Sequence, residues 1–198
     1  MVLILHVVPD MIIYILQRGG EQTITKVIEK PSAKGRKSAA IYFREPTADD
    51  GGEIFELVKK SKVLDVNSSY SYLMWGKYFN KTSIVAVADR KIVGFISGFL
   101  QPTAPDTLFV WQVVVDRSQR GKGLATTLLL KLIKRLEHTN IRFLEATVTP
   151  SNAPSNNLFK GLAKKLETRY TKYECFSEEQ FPDPSHEAEI AYRIGPLK

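Results

Sequence analysis

The 198-residue chain contains one cysteine, Cys175, and three scattered histidines, His6, His138 and His186. A lone thiol makes no intrachain disulfide, and this set offers neither a thiolate zinc site nor histidines at metal-ligand spacing. No metal is expected, and a reducing compartment, the cytoplasm, fits. Long apolar runs are also missing. Met1 to Leu16 (MVLILHVVPDMIIYIL) is broken by Pro9 and Asp10, and it falls short of the ~20 apolar residues that span a bilayer. It also lacks the cationic start of a signal peptide, so no membrane anchor is predicted. A strong excess of one charge is absent too: the formal charge is +7, and residues 1–38 hold six Lys/Arg against three Asp/Glu. The remainder is mildly basic, which suits a small polyanionic ligand or a solvated surface. No basic stripe interleaved with aromatics points to nucleic acid.

What is present is a folded, globular composition, 43% hydrophobic and 25% charged, on a chain of one domain's length. After Leu16, the stretch to Ser38 with Gly19-Gly20, Pro31 and Lys34-Gly35-Arg36-Lys37 has linker composition. Residues 1–38 are therefore read as a flexible, dispensable N-terminal extension, with the domain at 39–198. From Ala39 the punctuation is regular. A β-rich run (AIYFRE) stops at Pro46, and Thr47 caps a helix to about Lys60 with Ile54, Leu57 and Val58 on one face. Ser68 or Ser69 caps an aromatic-rich helix, Tyr70 to Phe79. SIVAVAD and KIVGFISGFL flank Asp89-Arg90 as a hairpin. Pro102 and Pro105 bracket a turn before a central strand, Thr107 to Val115. A helix from about Gly123 to His138 shows Leu124, Leu128, Leu132 and Leu136 as one stripe. A strand (Ile141–Thr149), a helix (Asn152–Leu166) and two strands (Thr171–Phe176, Glu189–Ile194) follow. The order βααβββαβαββ predicts an α/β (α+β) layered fold, with about seven strands in a mixed sheet and about four helices.

The most informative segment is VVVDRSQRGKGLA, residues 113–125. A buried strand entering a glycine-containing turn and then a long helix aims successive amides and the positive end of a helix dipole into one concavity, where phosphate binds. Gly121 and Gly123 let backbone approach closely; Arg120 and Lys122 add charge. An ordinary strand–turn–helix with a capping glycine is the competing reading. The spacing matches neither a P-loop nor a dinucleotide fingerprint.

Arg120-x-x-Gly123-x-Ala125 after a VVV strand resembles motif A of the GNAT acetyltransferases, and the order of elements from Ala39 to Ile194 is similar to that superfamily's fold. The resemblance implies acetyl-CoA as co-substrate, its pyrophosphate held by Arg120, Gly121, Lys122, Gly123, Leu124 and Ala125. It also implies a V-shaped splay between the fourth and fifth strands of the domain's sheet, with the pantetheine arm against the backbone of Gln112, Val113, Val114 and Val115 like an added strand. Asn152, Asn156 and Phe159 fall on the family's fourth helix. Asn152 either contacts the arm or caps the helix.

LDVNSSYSYLM, DTLFVWQVVVD, RGKGLATTLL and TVTPSNAPSNNLFK together closely resemble the L-2,4-diaminobutyrate acetyltransferases of ectoine biosynthesis, which serve osmotic stress. The match implies acetyl transfer to the γ-amine of L-2,4-diaminobutyrate. Asp65, Asn67, Ser69, Tyr70 and Tyr72 then form a loop and helix start able to grip an ammonium and a carboxylate, or else a surface loop with an N-cap. Trp111 walls the acceptor pocket or packs in the core. Glu189, with Glu187, faces the cationic substrate or is solvated. An amine must lose a proton before it attacks a thioester, and Asp65 and Glu189 are the candidate bases. A strand amide near Val113 or Val114 is the candidate oxyanion donor. The thiolate-protonating tyrosine of many family members is replaced here by Phe159, which cannot donate a proton. The family is usually dimeric. The rival readings are acetyl transfer to another polyamine or a protein N-terminus, and an acyl-CoA-binding module without catalysis.

Overall fold

The computed structural model describes residues 2–8, 11–18, 21–29, 40–62 and 64–198. It divides into two units, residues 1–39 and 40–198. In the first, β1 (Val2–Val8), β2 (Met11–Arg18) and β3 (Glu21–Glu29) form an antiparallel sheet in that order. This corrects the linker reading for residues 21–29. The register pairs Arg18 with Glu21, and Gly19 and Gly20 between them lie outside the described residues. The stretch from Lys30 to Ala39, including the remainder of the expected linker, lies outside the described residues.

The second unit has the expected order of elements. β4 (Tyr42–Arg44) leads through a short 3-10 turn to α1 (Gly51–Ser61) and α2 (Ser69–Tyr78). Then come β5 (Ile84–Ala88), β6 (Lys91–Gln101), β7 (Ala104–Val115) and α3 (Leu124–Arg135). The chain ends in β8 (Phe143–Val148), α4 (Ala153–Lys165), β9 (Tyr170–Phe176) and β10 (Glu189–Ile194). The seven strands lie in the order β4-β5-β6-β7-β8-β10-β9, and only β7 and β8 run parallel. β7 starts earlier than expected and takes in Pro105, whose missing N–H is tolerated near a strand's beginning.

Helices cover the sheet on both faces. The stripe Ile54, Leu57 and Val58 of α1 packs with Tyr72, Trp75, Val85, Val87, Phe95 and Val114. Each such side chain contributes about 1.5–3 kcal/mol by burial. Two features lock this layer. Gly76 of α2 lies so close to Thr47 that a Cβ there would stand 2.1 Å from the Thr47 carbonyl oxygen. Arg44 donates to both carboxylate oxygens of Asp50, at 2.6 and 2.7 Å. On the other face Leu128 of α3 sits against Gly94, and Phe159 of α4 packs on Tyr192 with ring centroids 6.0 Å apart. The half-buried guanidinium of Arg135 donates to the carbonyls of Lys81 and Ser83, binding α3 to the turn before β5.

The feature that makes a site is the seam between β7 and β8. Only three residue pairs join them: Thr107 with Phe143, Leu108 with Leu144 and Phe109 with Glu145. Beyond Phe109 the strands part, although β7 runs on to Val115 and β8 to Val148. This is the expected splay.

Candidate active site

Strand alternation decides which backbone groups face the opening. The Asp116 amide donates to the Val93 carbonyl at 2.9 Å, and the register continues through Val114 with Phe95 and Gln112 with Ser97. In an antiparallel ladder alternate residues point their N–H and C=O to opposite sides. Val114 therefore spends its amide on β6, while Val113 and Val115 present theirs to the gap. Of the two oxyanion amides considered, Val113's is the one that faces the opening. Val115's carbonyl accepts from Arg120 Nε at 3.2 Å.

Trp111 is an extra residue in this ladder. Ser97 pairs with Gln112 and Gly98 with Val110, which leaves Trp111 as a bulge just past the last parallel rung. Its ring is 54% exposed and lies 6.0 Å from Trp75 of α2. It is an exposed residue rather than a core one.

At the gap's end, the chain passes through a 3-10 turn, Arg117–Gln119, held by Asp116, whose carboxylate accepts from Ser118 N at 2.8 Å and Ser118 Oγ at 2.6 Å. Those bonds, aided by Arg120 and Lys60, hold the Asp116 carboxyl below its ordinary range. Gly121 and Gly123 have φ of +74° and +75°, a conformation that favours glycine. The first helical bond of α3 runs from Thr127 N to Gly123 O at 3.0 Å, and Gly123 has no side chain to cap the helix. The amides of Leu124, Ala125 and Thr126 are therefore available to an anion. Lys122 Nζ rests on Gln119 Oε1 at 3.3 Å at the loop's edge.

The residues expected to bind the acceptor differ in their surroundings. Asp65 is exposed, and its backbone carbonyl accepts from Gln112 Nε2 at 3.0 Å, which ties the α1–α2 loop to the splayed half of β7. Asn67 is half-buried, and Ser69 and Tyr70 are exposed at the start of α2. Ser68 makes no side-chain cap there, so the first amides of α2 are open to a carboxylate. Tyr72 differs from expectation. It is fully buried between Phe55 and Phe95, with its hydroxyl 3.4 Å from Gln112 Oε1, and it has no surface with which to touch a substrate. Its aromatic bulk faces the sheet because position 72 falls on the same helical face as Trp75.

Glu189 starts β10, next to Ile190, which pairs with Val148 on the splayed part of β8. Asp65 and Glu189 thus stand on opposite arms of the fork. Alternation puts Glu189 on the same sheet face as Arg193 and its partner Glu145. Glu187 is engaged elsewhere: it accepts from the Ser151 amide at 3.0 Å and from the Ser151 hydroxyl.

Three residues expected to touch the co-substrate have partners within the protein. Asn152 caps α4, accepting from Ser155 N at 3.1 Å. Asn156 accepts from Tyr192 Oη at 2.6 Å and donates to the carbonyls of Thr149 and Asn152. Phe159 is 3% exposed in the core, and its ring supports α4 on the sheet.

Sequence reasoning missed a polar cluster under the fork. Glu145, 4% exposed, accepts from Gln101 Nε2 at 2.8 Å and Arg193 NH1 at 3.0 Å. Partial burial and the Glu145 charge push the neighbouring Tyr173 phenol up to about 12. The signal was a lone glutamate in the apolar run FLEATV. Among the described residues, no group of His, Cys, Asp and Glu is arranged to hold a metal, and no helix is long and apolar enough to cross a membrane.

A model of the acetyltransferase (GNAT) family matches residues 52–163. The chain belongs to this family. It is 52% identical over 158 residues to an L-2,4-diaminobutyric acid acetyltransferase of Marinococcus halophilus, covering 80% of this chain and 91% of that one. It is 39% identical over 170 residues to the protein of that name in Nocardia farcinica, covering 86% and 88%. Among solved structures, it resembles the diaminobutyrate acetyltransferase EctA from Paenibacillus lautus, in complex with L-2,4-diaminobutyric acid and coenzyme A. That match has 42% identity and a TM-score of 0.76, and covers 80% of this chain and 96% of the other.

Proposed function

We propose that the chain is an acetyl-CoA:L-2,4-diaminobutyrate 4-N-acetyltransferase. The observation that carries this reading is the fork: a diphosphate cradle at its end, an unpaired strand edge along one arm, and a carboxylate standing on each arm. The diphosphate sits on the amides of Gly121 to Thr126, and the arm pairs with Val113 and Val115. Diaminobutyrate enters from the face of α1 and α2. Its carboxylate lies on the open amides of Ser69 and Tyr70, Trp111 walls its carbon chain, and Asp65 and Glu189 meet its two nitrogens.

A neutral γ-amine attacks the thioester carbon. The C–N bond forms, the C–S bond breaks, the amine's proton passes to Glu189 or Asp65 directly or through water, and coenzyme A leaves as thiolate. The Val113 amide stabilises the oxyanion, a contribution of about 3–4 kcal/mol at such sites. A carboxylate bound to an ammonium raises the amine's pKa, so the carboxylate that holds one nitrogen is not the one that deprotonates the other.

The test is thiol release from acetyl-CoA with diaminobutyrate, ornithine, lysine and an N-terminal peptide. Diaminobutyrate is expected to give the highest kcat/KM, with acetyl on the 4-amino group by NMR. Faster turnover of the peptide or of ornithine would overturn the assignment.

The reading extends to place and assembly. The enzyme acts in the cytoplasm as a homodimer in ectoine biosynthesis under osmotic stress. Its activity resides in residues 39–198, which include all the residues above. Removing residues 1–38 is expected to leave kcat/KM unchanged, and sedimentation is expected to give twice the chain mass. Loss of activity on truncation would reject dispensability of the extension.

A further inference from the structure

Gln112 is the polar exception in the apolar run VWQVVV of β7. It is 6% exposed and faces the layer of α1 and α2, as Val114 two residues on does. Burying an amide costs stability unless its polar atoms find partners. Both partners come from that layer: the Tyr72 hydroxyl donates to Oε1 at 3.4 Å, and Nε2 donates to the Asp65 carbonyl at 3.0 Å. A carbonyl only accepts, so the Asp65 bond fixes which end of the amide points to the loop.

That bond reaches the chain where no regular structure holds it. Residues 65–68 belong to no helix or strand, and Asp65 itself is exposed. The strand end of the tether is fixed: Gln112 pairs with Ser97 of β6, and its backbone amide donates to Ser97 Oγ at 3.2 Å. The next peptide carries the Val113 N–H that faces the gap. One glutamine side chain and one peptide unit therefore separate the Asp65 backbone from that amide. An apolar side chain would fill position 112 with no buried amide to satisfy, but it would not hold the loop at a set distance.

We propose that Gln112 is a positioning residue, the spacer between the two ends of the acceptor site, and that it selects the diamine by chain length. The inference rests on the diaminobutyrate reading, in which Asp65 holds one nitrogen and the other attacks the carbon whose oxygen lies on the Val113 amide. The tether then sets how many methylenes fit between the two. Ornithine, one methylene longer, and 2,3-diaminopropionate, one shorter, both bring the attacking amine to the wrong place.

Initial rates of the full chain and its Gln112→Met and Gln112→Asn variants with the three diamines test this, together with NMR order parameters for residues 65–68. Methionine matches glutamine in length and lacks the donor; asparagine keeps the donor on a side chain one methylene shorter. In Gln112→Met the preference for diaminobutyrate over ornithine is expected to fall about tenfold and KM for diaminobutyrate to rise about tenfold, with KM for acetyl-CoA unchanged and the order of the loop reduced. Gln112→Asn is expected to shift preference toward 2,3-diaminopropionate, which a merely loosened core would not do. A Gln112→Met enzyme that keeps the parent's preference and loop order overturns the proposal, as does one in which KM for both substrates rises alike. If that variant does not fold, an unchanged preference in Gln112→Asn overturns it. A parent that does not favour diaminobutyrate would refute the diaminobutyrate reading instead, and the loop order of the Gln112→Met protein would then decide whether Gln112 is the tether.

Discussion

Glu145 and Arg193 stand directly opposite each other on β8 and β10, and their side chains meet at 3.0 Å under the last rung of the parallel seam. The carboxylate is nearly closed to solvent, at 6% exposure, while the guanidinium is 29% exposed and lies 4.0 Å from the Phe143 ring. Through Gln101 the same carboxylate reaches β6, so one buried charge ties together strands on both sides of the fork. Arg193→Gln leaves that charge underpaired and is expected to cost about 3 kcal/mol, the low end for breaking a buried pair. Urea unfolding measures it. Glu145→Gln/Arg193→Gln together should lose less than the two single changes added, and an additive result would mean the pair is not coupled.

The two carboxylates of the fork are expected to separate in kinetics. Asp65→Asn should raise KM for diaminobutyrate at least tenfold with a smaller change in kcat, if it holds an ammonium. Glu189→Gln should lower kcat by about 10²–10⁴-fold, the worth of a well-placed base, with little change in KM. Initial rates against diaminobutyrate concentration check both. A Glu189→Gln enzyme with full kcat would move the base elsewhere.

Two glycines should fail for different reasons. At Gly123, alanine has room but must adopt φ +75°, which costs about 1–2 kcal/mol and disturbs the loop, so KM for acetyl-CoA should rise more than stability falls. At Gly76 the backbone angle is helical, but the new methyl would meet the Thr47 carbonyl. Gly76→Ala should therefore unfold the protein several degrees lower, with no selective effect on KM in whatever remains folded.

Phe159→Tyr is expected to give no gain in turnover. The ring lies in the core against Tyr192, so an added hydroxyl would meet packed atoms rather than the leaving thiolate. A large rise in kcat would show that the position reaches the gap and that a local acid had been limiting.

Acid should release the Arg44–Asp50 clasp. Burial works to raise the Asp50 carboxyl, but the hydrogen bonds from Arg44 and from the Thr47 amide outweigh it and hold the carboxyl below its ordinary value. A group depressed in this way stabilises the fold above its unfolded pKa, near 4, and that stability is lost as pH falls through the lower folded value. Asp50→Asn should thus lower Tm at pH 7 and narrow the difference between variant and parent as pH drops toward 3. Thermal unfolding across that range measures the effect.

The order of elements was legible because each one carries its own punctuation. Thr47, Ser68 and Asn152 precede helices, Asp89-Arg90 turns a hairpin, and the leucines of α3 repeat every fourth residue. The motif A loop was legible for the same reason, since glycines at positive φ announce themselves. Contacts between distant segments were not. Nothing in the local pattern distinguishes Tyr72, buried by the sheet, from Tyr70, which α2 leaves 65% exposed. Glu145 reads as an anomaly in a strand until β6, β9 and β10 bring its partners. For residues 21–29, the glycines just before them and the charges around them suggested a linker because composition outweighed the β-branched residues that form β3.

The bulge at Trp111 has a consequence for evolution as well as for shape. Because a strand repeats every two residues, one additional residue inverts the phase of everything downstream. Losing it would turn the Val113 amide inward to β6 and that of Val114 toward the opening, and the side chains beside the opening would change faces with them. A lineage that exchanges the indole for another ring keeps this phase, whereas one that shortens the strand by a residue here reverses it.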